Sequence, residues 1–377
     1  MQLIFVFGTR PEAIKMAPLV LEARKQSPQV VSEVIVTAQH RQMLDDVLDA
    51  FSIEPDVDLD LMAQGQSLPQ LTARICQELE PLFRNRQPDY VVVQGDTTTA
   101  FAAALCAFYA GIKVAHVEAG LRTGKKWAPF PEEMNRRMTS CLTDIHFAPT
   151  ESAKQNLLRE GYPEHTIHVT GNPVIDALQW MGSRLEGTPY PFQENEIPLD
   201  RFRRFVLITG HRRESFGEPF RRICAALRTL AENNPDVLFV YPVHLNPNVQ
   251  EPVYQALSDS SNILLLEPLN YPQFVWLMQR SYLIITDSGG IQEEAPALGK
   301  PVVVTRNVTE RPEAVEAGVV KLVGDDTSAI IATVQGLLSD PNVYRAMARG
   351  VSPYGDGKAA SRIVETLKTR AEASAEE

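Results

Sequence analysis

Short apolar runs rich in β-branched residues recur along the chain, each separated from the next by a stretch of helical length and pattern. Residues 2–7, 33–37, 90–94, 113–117, 145–148 and 167–169 read as strands, with helices over 11–26, 40–51, 68–85, 97–110 and 150–160. Strands buried on both faces lose polar/apolar alternation, and parallel neighbours need a crossover long enough for a helix. The pattern therefore predicts an α/β chain whose parallel sheets are covered by helices on both faces. A second series begins at Arg204-Phe205-Val206-Leu207-Ile208-Thr209 and continues through strands near 237–241, 262–266, 282–286 and 301–304. Gly171-Asn172-Pro173 and the Gly/Pro-punctuated stretch 187–200 interrupt the pattern between the two series. At 377 residues the chain exceeds one typical hydrophobic core. We expect two Rossmann-like, doubly wound parallel-sheet domains facing a cleft, residues 1–170 and 171–357. The segment 358–377 is expected to pack back on the first domain, helical over 358–371 and disordered at its small acidic end, Ala371 to Glu377.

Ligands of open α/β sheets bind at the carboxyl ends of the strands. Tyr90-Val91-Val92-Val93-Gln94-Gly95 runs into Asp96 at such an end, and Lys113-Val114-Ala115-His116-Val117 runs into Glu118. Pro131-Glu132-Glu133 follows the loop after Gly120. Converging carboxylates suit proton transfer. Each acid also has an ordinary reading: Asp96 as a helix N-cap, Glu118 as a solvated acid, Glu132 and Glu133 as favourable charges in a first helical turn. Three of them together point to chemistry, with Arg122 and Arg136 placed to balance their charge.

Two turns read as anion sites. Gly8-Thr9-Arg10-Pro11-Glu12 follows the first strand, where Gly8 permits a tight turn, free N–H groups face the cleft, and Arg10 and Lys15 add positive charge. A capped surface turn with solvated bases fits the same residues. Asp287-Ser288-Gly289-Gly290-Ile291-Gln292-Glu293-Glu294 is the stronger signal: the glycines admit a ligand, Ser288 can cap, and Glu294 could accept from ribose hydroxyls. His211, in Gly210-His211-Arg212-Arg213-Glu214-Ser215, sits at another strand end among cations that disfavour its own protonation.

Several classes are excluded. The formal net charge of −11 argues against a nucleic-acid groove. No strand is followed by GxGxxG, and Gly120 to Lys126 is one residue too short for a phosphate-binding P-loop. No His/Cys/Asp cluster has metal spacing, and no serine sits in a GxSxG turn. We expect no metal, no cofactor and no membrane partner, since no apolar run approaches the roughly 18 residues of a spanning helix. The opening Met1-Gln2-Leu3-Ile4-Phe5-Val6-Phe7-Gly8 reads as a strand rather than a leader, so the expected compartment is cytoplasmic. Cys76, Cys106, Cys141 and Cys224 are expected to be buried reduced thiols.

The stretches FGTRPEAIKMAP, TAQHRQML, GDTTT, HVEAGLRTG, PEEMNRR, TGHRRESFG, YPVHLNPNV, TDSGGIQEEAPALGKPV and TERPEAV span nearly the whole chain. Together they closely resemble the non-hydrolysing UDP-N-acetylglucosamine 2-epimerases of bacteria, whose fold is like that of GT-B glycosyltransferases. The resemblance implies reversible conversion of UDP-N-acetylglucosamine to UDP-N-acetylmannosamine, serving cell-surface polysaccharide synthesis. UDP would be eliminated to a 2-acetamidoglucal and then re-added. By that resemblance Asp96, Glu118 and Glu132 are the acid/base candidates, with His211 assisting at the diphosphate. Arg10, Lys15, Ser288, Gly289, Gly290, Glu294 and Arg311 would contact UDP, with Leu269 and Phe274 flanking the uracil. Gln39, His40, Gln42, Arg212 and His244 match a second, activating UDP-N-acetylglucosamine site. A homodimer is expected on the same ground. The rival readings are a GT-B glycosyltransferase and a hydrolysing epimerase using a UDP-sugar.

Overall fold

Val91, Val92 and Val93 are fully buried, as are Leu3 to Phe7 one strand away. Such residues are stable only as central strands with helices on both faces. The computed structural model describes residues 1–38, 41–63, 65–188, 197–212 and 215–376, without the side chains of residues 41, 42, 200 and 374–376. Two compact units result: Met1–Trp180 with Tyr354–Glu377, and Met181–Pro353.

The first unit alternates β1 (Gln2–Phe7), α1 (Arg10–Lys25), β2 (Val31–Val36), α2 (Arg41–Phe51), β3 (Val57–Asp58), α3 (Leu68–Arg86), β4 (Tyr90–Gln94) and α4 (Thr98–Tyr109). It continues through β5 (Lys113–Val117), α5 (Glu132–Leu142), β6 (Ile145–Ala148), α6 (Glu151–Arg159), β7 (Ile167–Val169) and the start of α7 (Pro173–Arg184). Its seven strands are all parallel in the order β3-β2-β1-β4-β5-β6-β7. The order reverses between β1 and β4, which is where a doubly wound sheet opens a crevice.

The second unit runs β8 (Arg204–Thr209), α8 (Glu218–Asn233), β9 (Val237–Pro242), α9 (Pro247–Leu257), β10 (Ile263–Leu266), α10 (Tyr271–Arg280), β11 (Leu283–Thr286) and α11 (Gly289–Ala297). It ends with β12 (Val302–Val304), α12 (Pro312–Glu316), β13 (Val320–Leu322), α13 (Thr327–Ser339) and α14 (Pro341–Met347). The order β10-β9-β8-β11-β12-β13 repeats that of the first unit, with the reversal between β8 and β11. The expected pair of doubly wound parallel sheets is therefore present.

Some expectations need correction. The break at Gly171-Asn172-Pro173 falls inside the first unit rather than at its edge: Asn172 N donates to Tyr354 O at 2.6 Å, and the Asp176 carboxylate accepts from the Ala359 and Ala360 N–H groups. Those contacts cap α15 (Ala359–Glu376) and hold the start of α7 in the first unit, so the chain divides after Trp180. The acidic end expected to be disordered is helical to Glu376, as its alanines and glutamates favour. Cys141 is exposed rather than buried, because it lies in the last turn of α5 facing outward beside Tyr162. Among the described residues, no helix is long and apolar enough to cross a membrane.

Candidate active site

In the first unit the candidate groups gather at the β1/β4 reversal. The turn after β4 places Gly95 at φ +70°, a left-handed conformation that favours glycine, and then Asp96. Asp96 does not cap α4. Thr97 does so, accepting from Ala100 N at 3.0 Å, and the Asp96 carboxylate is left to pair with Arg136. Asn135 on α5 also donates to Asp96 O at 3.0 Å.

Glu118 is buried at 6% exposure and sits at φ +64°, a region that costs a branched-chain or acidic residue strain. Its Oε2 accepts from Lys15 Nζ at 2.5 Å and from the Gln94 amide, while Asn172 donates to Oε1 at 3.3 Å. It is no loosely solvated acid.

Geometry also separates the two neighbouring glutamates that sequence left together. Both Glu133 oxygens are occupied, by Thr123 N at 3.0 Å and Gly124 N at 3.1 Å, so Glu133 fixes the loop after β5. Glu132 heads α5 with a buried Oε2 that has no hydrogen-bond partner among the described residues.

The two expected charge partners part company. Arg136 lies on the acids, against Asp96 and 3.5 Å from Glu133. Arg122 does not. Its guanidinium grips Glu160 at 2.8 and 2.9 Å and Ser140 Oγ at 3.1 Å, which joins α5 to α6.

The turn after β1 also differs from expectation. Its free N–H groups are already taken: Glu12 Oε2 accepts from Gly8 N, Thr9 N and Thr9 Oγ1 at 3.1, 2.8 and 2.7 Å. Thr97 Oγ1 donates to the other oxygen at 2.6 Å, so Glu12 ties β1 to the start of α4. Burial alone pushes the Glu12 carboxyl above its usual range, opposed by these four donors. Gly8 is required by space, since a Cβ there would fall 1.9 Å from Thr37 Oγ1. What this turn can offer an incoming anion is therefore side chains rather than N–H groups, and of these Lys15 is already paired with Glu118.

In the second unit the groups meet at the β8/β11 reversal. Asp287, 1% exposed, accepts from the His211 and Arg212 N–H groups at 2.8 Å each, fixing the turn after β8. His211 Nδ1 lies 3.7 Å from Asp287 Oδ1, and its ring stacks on His244 at 5.4 Å. Partial burial lowers the His211 pKa below its ordinary value; Asp287 opposes that shift, and His244 and Arg212 add to it.

Ser288 sits at the N-cap of α11 but makes no side-chain cap, contrary to the role expected of it. A Cβ on Gly289 would lie 3.4 Å from Arg311 Cζ and 3.6 Å from Arg212 NH2, so two guanidinium groups flank an uncapped helix start. Uncapped N–H groups, the helix dipole and paired guanidiniums make an anion site. Arg311 is aimed by Glu293, whose Oε1 accepts from Nε at 2.6 Å. Glu294 lies beside Gly290, its Oε1 3.5 Å from a Cβ there. Leu269 and Phe274, both half-buried, bracket the capped start of α10.

Arg212 and His244, expected at a second site, thus share one turn cluster with His211 and Gly289. Gln39 and His40 lie outside the described residues, as does the side chain of Gln42. Asp287, Glu12, Gln94, Asn135 and Asn172 were missed as site residues. Asp287 alone had a signal, since an acid ending the strand beside the His211 turn occupies the position that made Asp96 stand out. Among the described residues no cluster of His, Cys, Asp or Glu could hold a metal ion.

Known proteins match both the sequence and this architecture. A family model described as UDP-N-acetylglucosamine 2-epimerase matches residues 22–368. The chain is 53% identical to the UDP-N-acetylglucosamine 2-epimerase of Salmonella typhimurium, over 98% of its own length and 99% of the relative's. The UDP-GlcNAc 2-epimerase of Neisseria meningitidis, solved bound to UDP-GlcNAc, superposes with TM-score 0.91 at 51% identity, covering 97% of this chain and 99% of that one. A glycosyltransferase of Streptomyces nogalater shares the fold alone, with TM-score 0.62 at 14% identity over 97% and 99%. This chain belongs to the UDP-N-acetylglucosamine 2-epimerase family of isomerases.

Proposed function

We propose that the protein reversibly inverts C2 of UDP-N-acetylglucosamine, giving UDP-N-acetylmannosamine. The observation that carries this reading is the division of labour between the two strand-end clusters. Asp96, Glu118 and Glu132 supply acid/base groups, whereas the uncapped start of α11 with Arg212 and Arg311 supplies an anion site. A proton on C2 beside an unactivated anomeric carbon is not acidic enough for a carboxylate. It becomes removable once the C1–O bond to UDP breaks, because the electron pair of the C2–H bond then forms the C1–C2 double bond of a 2-acetamidoglucal.

The departing diphosphate takes up negative charge. Each preorganised donor aimed at it lowers the barrier by about 3–4 kcal/mol, judged by the loss of single oxyanion donors. Arg10, Lys15, Ser288, Gly289 and Gly290 complete the UDP contacts in this reading, with Glu294 on the ribose and Leu269 and Phe274 on the uracil. His211 assists at the diphosphate. In the return step a protonated carboxyl group delivers its proton to the other face of C2 and the UDP oxygen re-attacks C1. Two faces require more than one acid/base group.

UDP-N-acetylglucosamine bound near Gln39, His40, Gln42, Arg212 and His244 activates the reaction. A homodimer in the cytoplasm belongs to the same reading. The test is an NMR time course of the protein with UDP-N-acetylglucosamine in D₂O. Deuterium entering C2 while both epimers accumulate supports the reading. Release of UDP only with an acceptor, or irreversible formation of free N-acetylmannosamine, replaces it with a transferase or a hydrolase. A reverse reaction that needs no added UDP-N-acetylglucosamine and responds without sigmoidicity removes the activator.

A further inference from the structure

Beneath the two acid-bearing turns of the first unit lies a histidine that the proposed chemistry leaves idle. His116 on β5 is fully buried, and its Nε2 is 2.7 Å from Gly95 O. A carbonyl oxygen only accepts, so Nε2 carries the hydrogen and the ring is the neutral Nε2–H tautomer. Nδ1 is buried with no hydrogen-bond partner among the described residues. His116 pairs with Val93 of β4 in the ladder, and Gly95 N extends that ladder by donating to Val117 O at 3.0 Å. At φ +70° Gly95 turns its own carbonyl out of the ladder and onto the imidazole. Asp96 is the next residue along, and Glu118 lies two residues beyond the histidine.

One ring therefore touches the peptide that launches Asp96 while standing on the strand that ends in Glu118. We propose that His116 is a positioning residue for the epimerisation: its Nε2–H clamps the Gly95 carbonyl and so fixes Asp96 relative to Glu118. The inference rests on the reading of those two acids as the acid/base groups. A leucine or phenylalanine would fill the same space but take away the donor to the Gly95 carbonyl, which gives a fully buried ring on β5 a reason to be polar. Burial, the first cause, holds its pKa at about 3, so the clamp stays neutral throughout the working range.

Three variants test the clamp. In His116→Gln the side-chain amide reaches about as far as Nε2, whereas in His116→Asn it ends near Nδ1 and falls short; His116→Leu has no donor. The Asn and Leu variants should lose about 10²-fold in kcat, the scale of a small misplacement of reacting groups. KM and the Kd for UDP should stay near wild type, and Gln should recover most of the loss. Circular dichroism and UDP binding establish that each variant is folded, and if Leu fails to fold, the Gln/Asn pair decides. The clamp is overturned if folded Asn or Leu variants keep wild-type kcat, if the defect lies wholly in KM, or if Gln is as slow as Asn. Asp96→Asn run alongside separates the two failures. Turnover retained there removes the acid/base reading and the clamp with it, whereas an inactive Asp96→Asn beside a fully active His116→Leu removes the clamp alone.

Discussion

The two strand-end clusters share one topology and differ in how their charges are held. In the first unit nearly every polar group is already engaged: Glu118 by Lys15, Gln94 and Asn172, Asp96 by Arg136, Glu12 by four donors. In the second unit the backbone is braced from below by Asp287, while the face above is left open, an uncapped helix flanked by guanidiniums. Proton transfer needs side chains held to within a fraction of an ångström, so internal partners are an asset there. Binding a large anion needs donors gathered at one place, and here Arg311, aimed by Glu293, stands with Arg212 at the start of α11. The same fold serves both by capping one set of strand ends and leaving the other uncapped.

The contrast can be broken most sharply at Asp96. Asp96→Asn keeps the shape and removes the proton-accepting charge, so turnover should fall by about 10²–10⁴-fold. The Kd for UDP, measured by calorimetry, should change little, because Asp96 is not among the UDP contacts and most of those are assigned to the other unit. A large loss of UDP affinity would show that the clusters do not divide the labour.

Arg311→Ala attacks the second cluster. Losing a guanidinium–phosphate contact of about 1.5–3 kcal/mol should weaken UDP binding by roughly 10–100-fold. It also takes the Arg311 guanidinium away from Glu293, whose side chain is 2% exposed, so Tm should fall as well. Adding Glu293→Gln should restore Tm without restoring affinity. If affinity returns with Tm, Arg311 was holding the helix rather than the ligand.

A third contrast is a pH dependence weighted toward the first unit, where the two most deeply buried imidazoles lie. Burial lowers the pKa of His116 to about 3 and that of its ladder neighbour His146 to about 4, against 6.5 for an exposed imidazole. Folded pKa values below the unfolded ones mean that the unfolded chain binds protons first. This stability is present above about pH 6.5 and is lost as pH falls toward 4, by about 1.4 kcal/mol per pH unit for each histidine. Amide protection factors in the first sheet, corrected for the intrinsic pH dependence of exchange, should therefore fall between pH 6 and 4 before those in the second do. An equal loss of protection in both sheets would mean that buried neutral imidazoles are not what distinguishes them.

Much of this was legible in one dimension. β-Branched runs such as Val91-Val92-Val93 announce buried parallel strands, and an acid just past such a run announces a crevice, so Asp96, Glu118 and the Asp287–Glu294 turn could be named from the residues alone. What could not be read is which neighbour a polar group chooses. Asp96 is a good cap on paper, and only folding assigns the cap to Thr97 and Arg136 to Asp96. Glu132 and Glu133 are adjacent and identical, yet one secures a loop and the other keeps a bare oxygen. Arg122 resembles Arg136 until Glu160 arrives from a helix that sequence distance hides.

Sequence by itself thus determined the layers, the strand ends and the residue types that ring them, because burial periodicity and turn chemistry are local properties. Tertiary structure decided which donors were spent and which were left open, because hydrogen bonds and ion pairs are made by proximity in space. A buried charge takes the partner that folding brings within 3 Å or so, whatever lies beside it in the chain.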